Sequence, residues 1–271
     1  MPVTLQATEY GEGEPIAILH GLFGSGRNWA SIAQRLAAGW RVVAFDMRNH
    51  GASPWTDRMD YRAMADDIRL AMQQRGYRRY ALLGHSMGGK AAMVAALTAP
   101  QAIEKLVVVD IAPVVYPIMP YAAYVAAMRA LDLSTITRRR EADAKLAEVV
   151  KDAAERAFLL QNLVLGRDVG GGDGPPRWRI NLPAIEAALG TLAGFPALPG
   201  DARYDGPALF VAGGRSRSLP AAHEPAVNAL FGNAAFVRIA EAGHWVHADA
   251  PDAFVSAVEP FLAAGIFSDA D

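Results

Sequence analysis

Short apolar runs alternate along the chain with longer stretches in which apolar residues recur every three or four positions. Ile16–His20 (IAILH), Arg41–Asp46 (RVVAFD), Tyr80–Gly84 (YALLG), Lys105–Asp110 (KLVVVD) and Ala208–Ala212 (ALFVA) are nearly continuous in apolar residues. Such runs predict strands buried on both faces, as in a parallel sheet. Helical periodicity is found near Trp29–Ala38, Tyr61–Arg75, Met87–Ala99 and Pro220–Leu230. A last strand at Ala235–Ile239 precedes a C-terminal helix from about Asp252. The alternation predicts an α/β fold, a mostly parallel sheet with helices on both faces. Ligands of such sheets bind beyond the carboxyl ends of the strands, so residues at strand ends carry the interest.

One region interrupts the alternation. Between Pro113 and about Gly200 no buried strand is predicted, only Tyr121–Leu131, an amphipathic stretch from Ser134 to Leu165 and a Gly-rich tract at Gly170–Gly174. A crossover needs far fewer residues. The expected organisation is therefore a core formed by residues 1–112 and 201–271, with a helical cap inserted at 113–200. No internal repeat suggests a further domain.

The 271 residues are 52% hydrophobic and 20% charged, a globular composition. Net charge is −2, which offers no basic field for a nucleic acid. There is no cysteine, so disulfides, thiol catalysis and cysteine metal sites are excluded together and a reducing cytoplasm is the expected setting. The opening MPVTLQATEYGEGEP has neither a charged leader nor an apolar core, and no apolar run reaches spanning length. Neither a signal peptide nor a membrane span is expected.

The chemistry centres on Gly84-His85-Ser86-Met87-Gly88. A G-x-S-x-G pattern alone is common, but here it directly follows a predicted strand and opens a predicted helix. That context is demanding: the serine sits in a strained turn, and the glycines remove side chains that would collide with the neighbouring backbone. A glycine-punctuated turn with a capping serine is the plainer reading. Ser86 is the candidate nucleophile, and a hydroxyl needs a base. Of six histidines, His20, His50, His85 and His223 read as structural. His244 follows the last strand by a short loop, and His247, one turn on, reads as support for that loop. The acid is often placed after the strand that follows a cap, but Ala212–Ser218 contains no carboxylate. Asp110, at the end of the LVVVD run, keeps the order Ser…Asp…His, with Glu224 and Asp249 as rivals. Backbone N–H groups of Met87 and of Leu22, with Phe23 as the neighbour that could replace Leu22, are the candidate oxyanion donors, each worth roughly 3 kcal/mol.

With these residues in hand the sequence resembles the α/β-hydrolase superfamily, and within it the YbfF-type esterases and the α/β-hydrolase-domain-containing protein 11 group. The markers run through almost the whole chain: HGLFGS (His20–Ser25), DMRNHGASP (Asp46–Pro54), GHSMGGKAAM (Gly84–Met93), VVDIAPV (Val108–Val114), YVAAMRAL (Tyr124–Leu131), FLLQNL (Phe158–Leu163), WRINL (Trp178–Leu182) and AGHWVHADAP (Ala242–Pro251). The resemblance implies an esterase with Ser86 as nucleophile, His244 as base and Asp110 as acid, without cofactor or metal. Some relatives carry an acidic residue just after the WRxNL segment; Pro183 stands there in this chain. The tract Gly170–Gly174 looks longer than in relatives.

The implied reaction is hydrolysis of carboxylic esters of short to medium acyl chain through an acyl-enzyme, on a small-molecule ester or thioester. A thioesterase, another triad-dependent hydrolase of the fold, or a slow-turnover ligand-binding module are the alternatives. Dehalogenase and epoxide hydrolase chemistry would need a carboxylate where Ser86 stands. Tyr116, Met119, Tyr121, Tyr124, Met128, Phe158 and Phe195 in the cap, with Phe23 and Trp245, are candidates for the pocket, although such stripes more often pack a core. No polar cluster in the cap marks a charged headgroup site. Lys90 reads as a helix cation facing the sheet edge or solvent, and Arg138-Arg139-Arg140 as a solvated helix face. Gly170–Gly174 lacks the strand–helix context of a phosphate loop.

Overall fold

The computed structural model describes residues 1–166 and 174–264. Seven strands form one sheet: β1 (Ala7–Tyr10), β2 (Glu14–Leu19), β3 (Trp40–Phe45), β4 (Tyr80–His85), β5 (Ile103–Val109), β8 (Tyr204–Gly213) and β9 (Phe231–Ile239), in the order β1-β3-β2-β4-β5-β8-β9. Only β1 runs antiparallel to its neighbour. This edge strand was not expected from the sequence, since ATEY carries no apolar run and is largely solvent-facing. The predicted central strands are fully buried, as their unbroken apolar character requires.

Helices cover both faces. On one side α1 (Ala30–Leu36) and α10 (Pro251–Ala263) pack Ile32, Leu36, Phe254 and Val258 under Ile18, Leu83 and Val109. On the other lie α2 (Tyr61–Gln74) and α3 (Met87–Thr98). Every residue of α3 from Met87 to Leu97 is buried, which explains a helix apolar on all sides. The predicted helix at Pro220–Leu230 is one short turn followed by α8 (Glu224–Asn228), and α9 is Val246–Asp249.

Between β5 and β8 the chain forms α4 (Tyr121–Ala130), α5 (Arg139–Leu146), α6 (Ala153–Leu160) and α7 (Leu182–Ala193). The amphipathic stretch Ser134–Leu165 holds α5 and α6, with Asp152 starting the second by accepting from the Glu155 N–H. A two-residue antiparallel pair, β6 (Leu163–Val164) with β7 (Arg177–Trp178), also lies there, too short to leave a sequence signal. The tract at Gly170–Gly174 lies, apart from Gly174, outside the described residues.

The register positions the site. Leu19 pairs with Gly84, His85 with Val109, and Val109 with Val211. The ladder then runs one step further: Ser86 N donates to Val109 O (3.0 Å) and Asp110 N to Val211 O (2.8 Å). Ser86 and Asp110 are therefore the first residues beyond adjacent strand ends, and both take a left-handed φ of 52°.

Candidate active site

Ser86 stands between β4 and α3 with φ 52° and ψ −117°, a conformation costing of order 1–3 kcal/mol that the surrounding packing must hold. Two glycines permit that packing. A Cβ at Gly84 would lie 2.2 Å from Gly88 O, and one at Gly88 would lie 2.5 Å from Leu19 O. The turn therefore closes only without side chains at these positions.

His244 Nε2 lies 3.1 Å from Ser86 Oγ, and His244 Nδ1 lies 2.7 Å from Asp110 Oδ2. Asp110 is fully buried and accepts from Gly213 N at 3.0 Å and from Ser216 Oγ through the same oxygen that faces His244. Ser218 Oγ lies 3.2 Å from His244 Nδ1. The structure thus brings together Ser86, His244 and Asp110. The rival carboxylates are elsewhere: Asp249 accepts from Gly243 N, and Glu224 begins α8. Ser216 and Ser218 were not singled out from sequence. They lie in the segment that lacks a carboxylate, and it supplies hydroxyls to Asp110 and His244 instead.

The other histidines hold the frame. His85 Nε2 lies 2.8 Å from His244 O, and His247 stacks on Trp29 at 3.8 Å. His20 Nε2 accepts from Met47 N (2.9 Å), and His50 Nε2 accepts from Phe23 N (3.2 Å). Burial pushes His20 down to about 4, and His50 and His247 to about 3, so these rings stay neutral near pH 7. The Phe23 N–H is engaged by His50, which leaves the Leu22 N–H as the candidate oxyanion donor of this loop. The Met87 N–H opens α3 and has no partner within its own helix.

Two cavities meet at Ser86. One of about 560 Å³ is apolar, walled by Ile111, Tyr116, Ile118, Met119, Leu189 and Leu192. The other, of about 500 Å³, includes Phe23, Tyr124, Phe158 and Trp245 together with Arg215 and Arg217. Seven of the nine candidate pocket residues thus line one or both of these cavities; Met128 is packed in the core and Phe195 lines neither. Tyr116 has its hydroxyl engaged by Ala112 N and Ser218 O, and Tyr124 by Glu155.

Two expectations are corrected. Lys90 faces neither solvent nor the sheet edge: it is 1% exposed, and its Nζ donates to Val114 O (2.8 Å), Ala193 O (2.9 Å) and Gly194 O (2.6 Å). An ammonium has three donors and here finds three carbonyls, the condition for burying it. Arg139 is not on a solvated face either. It is half-buried, its Nη1 donates to Leu160 O, and it lines a cavity.

Comparison with known proteins agrees with this geometry. The model of the family described as the alpha/beta hydrolase fold matches residues 14–251. The chain is 42% identical over 255 residues to the sn-1-specific diacylglycerol lipase ABHD11 of Mus musculus, covering 92% of this chain and 80% of the relative. It is 36% identical over 248 residues to esterase YbfF of Escherichia coli, covering 92% of each. Among solved structures, one named marine microorganism esterase superposes with a TM-score of 0.90 at 35% identity, over 96% of this chain and 99% of that one.

Proposed function

The chain belongs to the α/β-hydrolase fold family and is a serine ester hydrolase, and from that premise we propose that Ser86, His244 and Asp110 carry its reaction. The observation that supports this most is His244, placed 3.1 Å from Ser86 Oγ on one side and 2.7 Å from Asp110 Oδ2 on the other. His244 takes the hydroxyl proton as Ser86 Oγ bonds to the acyl carbon. The negative charge that develops on the carbonyl oxygen falls between the Leu22 and Met87 N–H groups, beside the N-terminus of α3. Collapse of the tetrahedral species breaks the bond to the leaving group, which departs with the proton from His244. Water then repeats the cycle on the acyl-enzyme. Asp110 fixes the Nδ1–H tautomer of His244 and balances the imidazolium.

The apolar cavity of about 560 Å³ suits a short to medium acyl chain, and the 113–200 insertion acts as its cap. The substrates are small-molecule esters. No helix among the described residues is long and apolar enough to cross a membrane. A chain without cysteine gains no disulfide in an oxidising compartment, which favours a cytoplasmic setting.

The test is fluorophosphonate labelling, with the adduct mapped to Ser86, combined with a panel of esters of increasing acyl length. Neutral acylglycerols belong in that panel, because one relative is named for diacylglycerol. A folded protein that takes no label and cleaves no ester would refute the assignment.

A further inference from the structure

The loop after β2 closes on itself through Gly24 N, which donates to Gly21 O (3.0 Å), with Leu22 and Phe23 at the corner. The corner abuts the candidate nucleophile: a Cβ on Gly21 would lie 3.2 Å from Ser86 Cβ. Phe23 takes a left-handed φ of 64°, at a position where such turns usually place glycine. A buried phenylalanine stays in that conformation only where its surroundings hold it. Relaxation of Phe23 to negative φ would rotate the peptides on either side of it and carry the Leu22 N–H away from Ser86.

Two side chains grip Phe23 by its own peptide groups. From the core, His50 Nε2 accepts from Phe23 N (3.2 Å). From the insertion, Asn162 Nδ2 donates to Phe23 O (2.8 Å) and to Leu159 O (3.2 Å). Both partners of Nδ2 are carbonyl oxygens, which fixes the orientation of this buried amide. The backbone of Asn162 is set by the short β6–β7 pair, since Arg179 N donates to Asn162 O (2.8 Å) and extends that ladder. Two residues on, Asn181 returns to the core, donating through N to Asn49 O (2.9 Å) and through Nδ2 to Asn49 Oδ1 (3.1 Å). Asn49 adjoins His50. A closed circuit thus runs from Phe23 O through Asn162, Asn181, Asn49 and His50 back to Phe23 N. Its four side chains are buried and uncharged, so a bond lost from it finds no replacement in water.

We propose that Asn162 is a positioning residue of the oxyanion hole: through it the segment between β5 and β8 supplies the bond that keeps Phe23 left-handed and the Leu22 N–H in place. The marker FLLQNL gains a role in this way, as the stretch that reaches from the insertion to the loop after β2. The proposal rests on the assignment of Ser86 as nucleophile and of the Leu22 N–H as donor.

The experiment compares wild type with Asn162→Leu, which keeps the volume and removes the donor, and with Asn162→Ala, which needs less room should leucine not fit. Gln161→Ala is the control, because it breaks the neighbouring bond from Asn28 Nδ2 to Gln161 Oε1 (2.7 Å) without touching Phe23. With p-nitrophenyl butyrate, kcat of the Asn162 variants is expected to fall about 10- to 100-fold with KM within about twofold, and Gln161→Ala to stay near wild type. An alkyl trifluoromethyl ketone adds to Ser86 and leaves a charged oxygen in the hole. Its affinity should fall with kcat/KM, whereas that of the matching trifluoromethyl carbinol, which forms no adduct, should hold. The pH midpoint of kcat/KM, set by His244, should stay within about 0.3 of wild type, because the base is not displaced. Urea unfolding follows stability separately. Asn162 variants that lose stability but keep wild-type kcat and ketone affinity would overturn the proposal. Equal losses for ketone and carbinol, or a shifted pH midpoint, would also overturn it, and each leaves the esterase intact. A folded wild type that forms no ketone adduct, takes no fluorophosphonate and cleaves no ester would remove both readings.

Discussion

His85 Nε2 lies 2.8 Å from the carbonyl oxygen of His244, so the residue beside the candidate nucleophile steadies the backbone of the candidate base. Burial, together with the neighbouring His244 and His247, pushes His85 well below its ordinary value. The ring is neutral and donates its Nε2 proton. Replacing it by His85→Leu is expected to lower kcat by about 10- to 100-fold with a smaller change in KM, because a displacement near 1 Å at the base is costly. His85→Gln, which retains a donor, should recover part of the loss.

Ser86→Ala and His244→Ala are expected to lower kcat/KM by about 10⁴-fold or more. Asp110→Asn should cost about 10²- to 10⁴-fold, whereas Glu224→Gln should leave activity near wild type. Circular dichroism and ester turnover on the same preparations separate chemistry from folding. Full activity in Asp110→Asn would assign the acid elsewhere.

Lys90→Met leaves three buried carbonyls without their donor. A loss of about 2–4 kcal/mol is expected in urea unfolding. Burial pushes the Lys90 ammonium down to about 7, against 10.5 in an unfolded chain. Between those values the unfolded state holds a proton that the native state has lost, so wild-type stability rises with pH through this window and flattens below it. Lys90→Met should lack that rise.

Acid should destabilise the fold early. His20, His50 and His247 have native values near 3 to 4 against about 6.5 unfolded. Their burial is free of cost above pH 6.5, and stability falls as the pH drops below it, because only the unfolded chain takes the protons. At pH 5 each contributes roughly 2 kcal/mol of loss. Urea midpoints between pH 7.5 and 5 measure the slope, and His247→Gln should shallow it by one proton.

The sheet and the residues meeting at its carboxyl edge were legible because their signals are local. Continuous apolar runs mark the central strands, and Gly84 and Gly88 mark a turn that tolerates no Cβ. Asp110 was legible as the last residue of such a run. The edge strand β1 was not, because a strand wetted on its surface loses the apolar signature. Lys90 was misread for a different reason: its acceptors lie 24, 103 and 104 residues away, and nothing local records them. The hydroxyls of Ser216 and Ser218 gave no signal, since a serine in a loop has too many ordinary uses.

The three carbonyls held by Lys90 belong to the two stems of the insertion, Val114 where it leaves the core and Ala193 and Gly194 where it returns. Tyr116 N also donates to Ala193 O, at 2.9 Å. The stems are thus stapled together at one point, one helical turn from Ser86. The helix that presents the nucleophile is thus the same one that ties the start of the segment between β5 and β8 to its end.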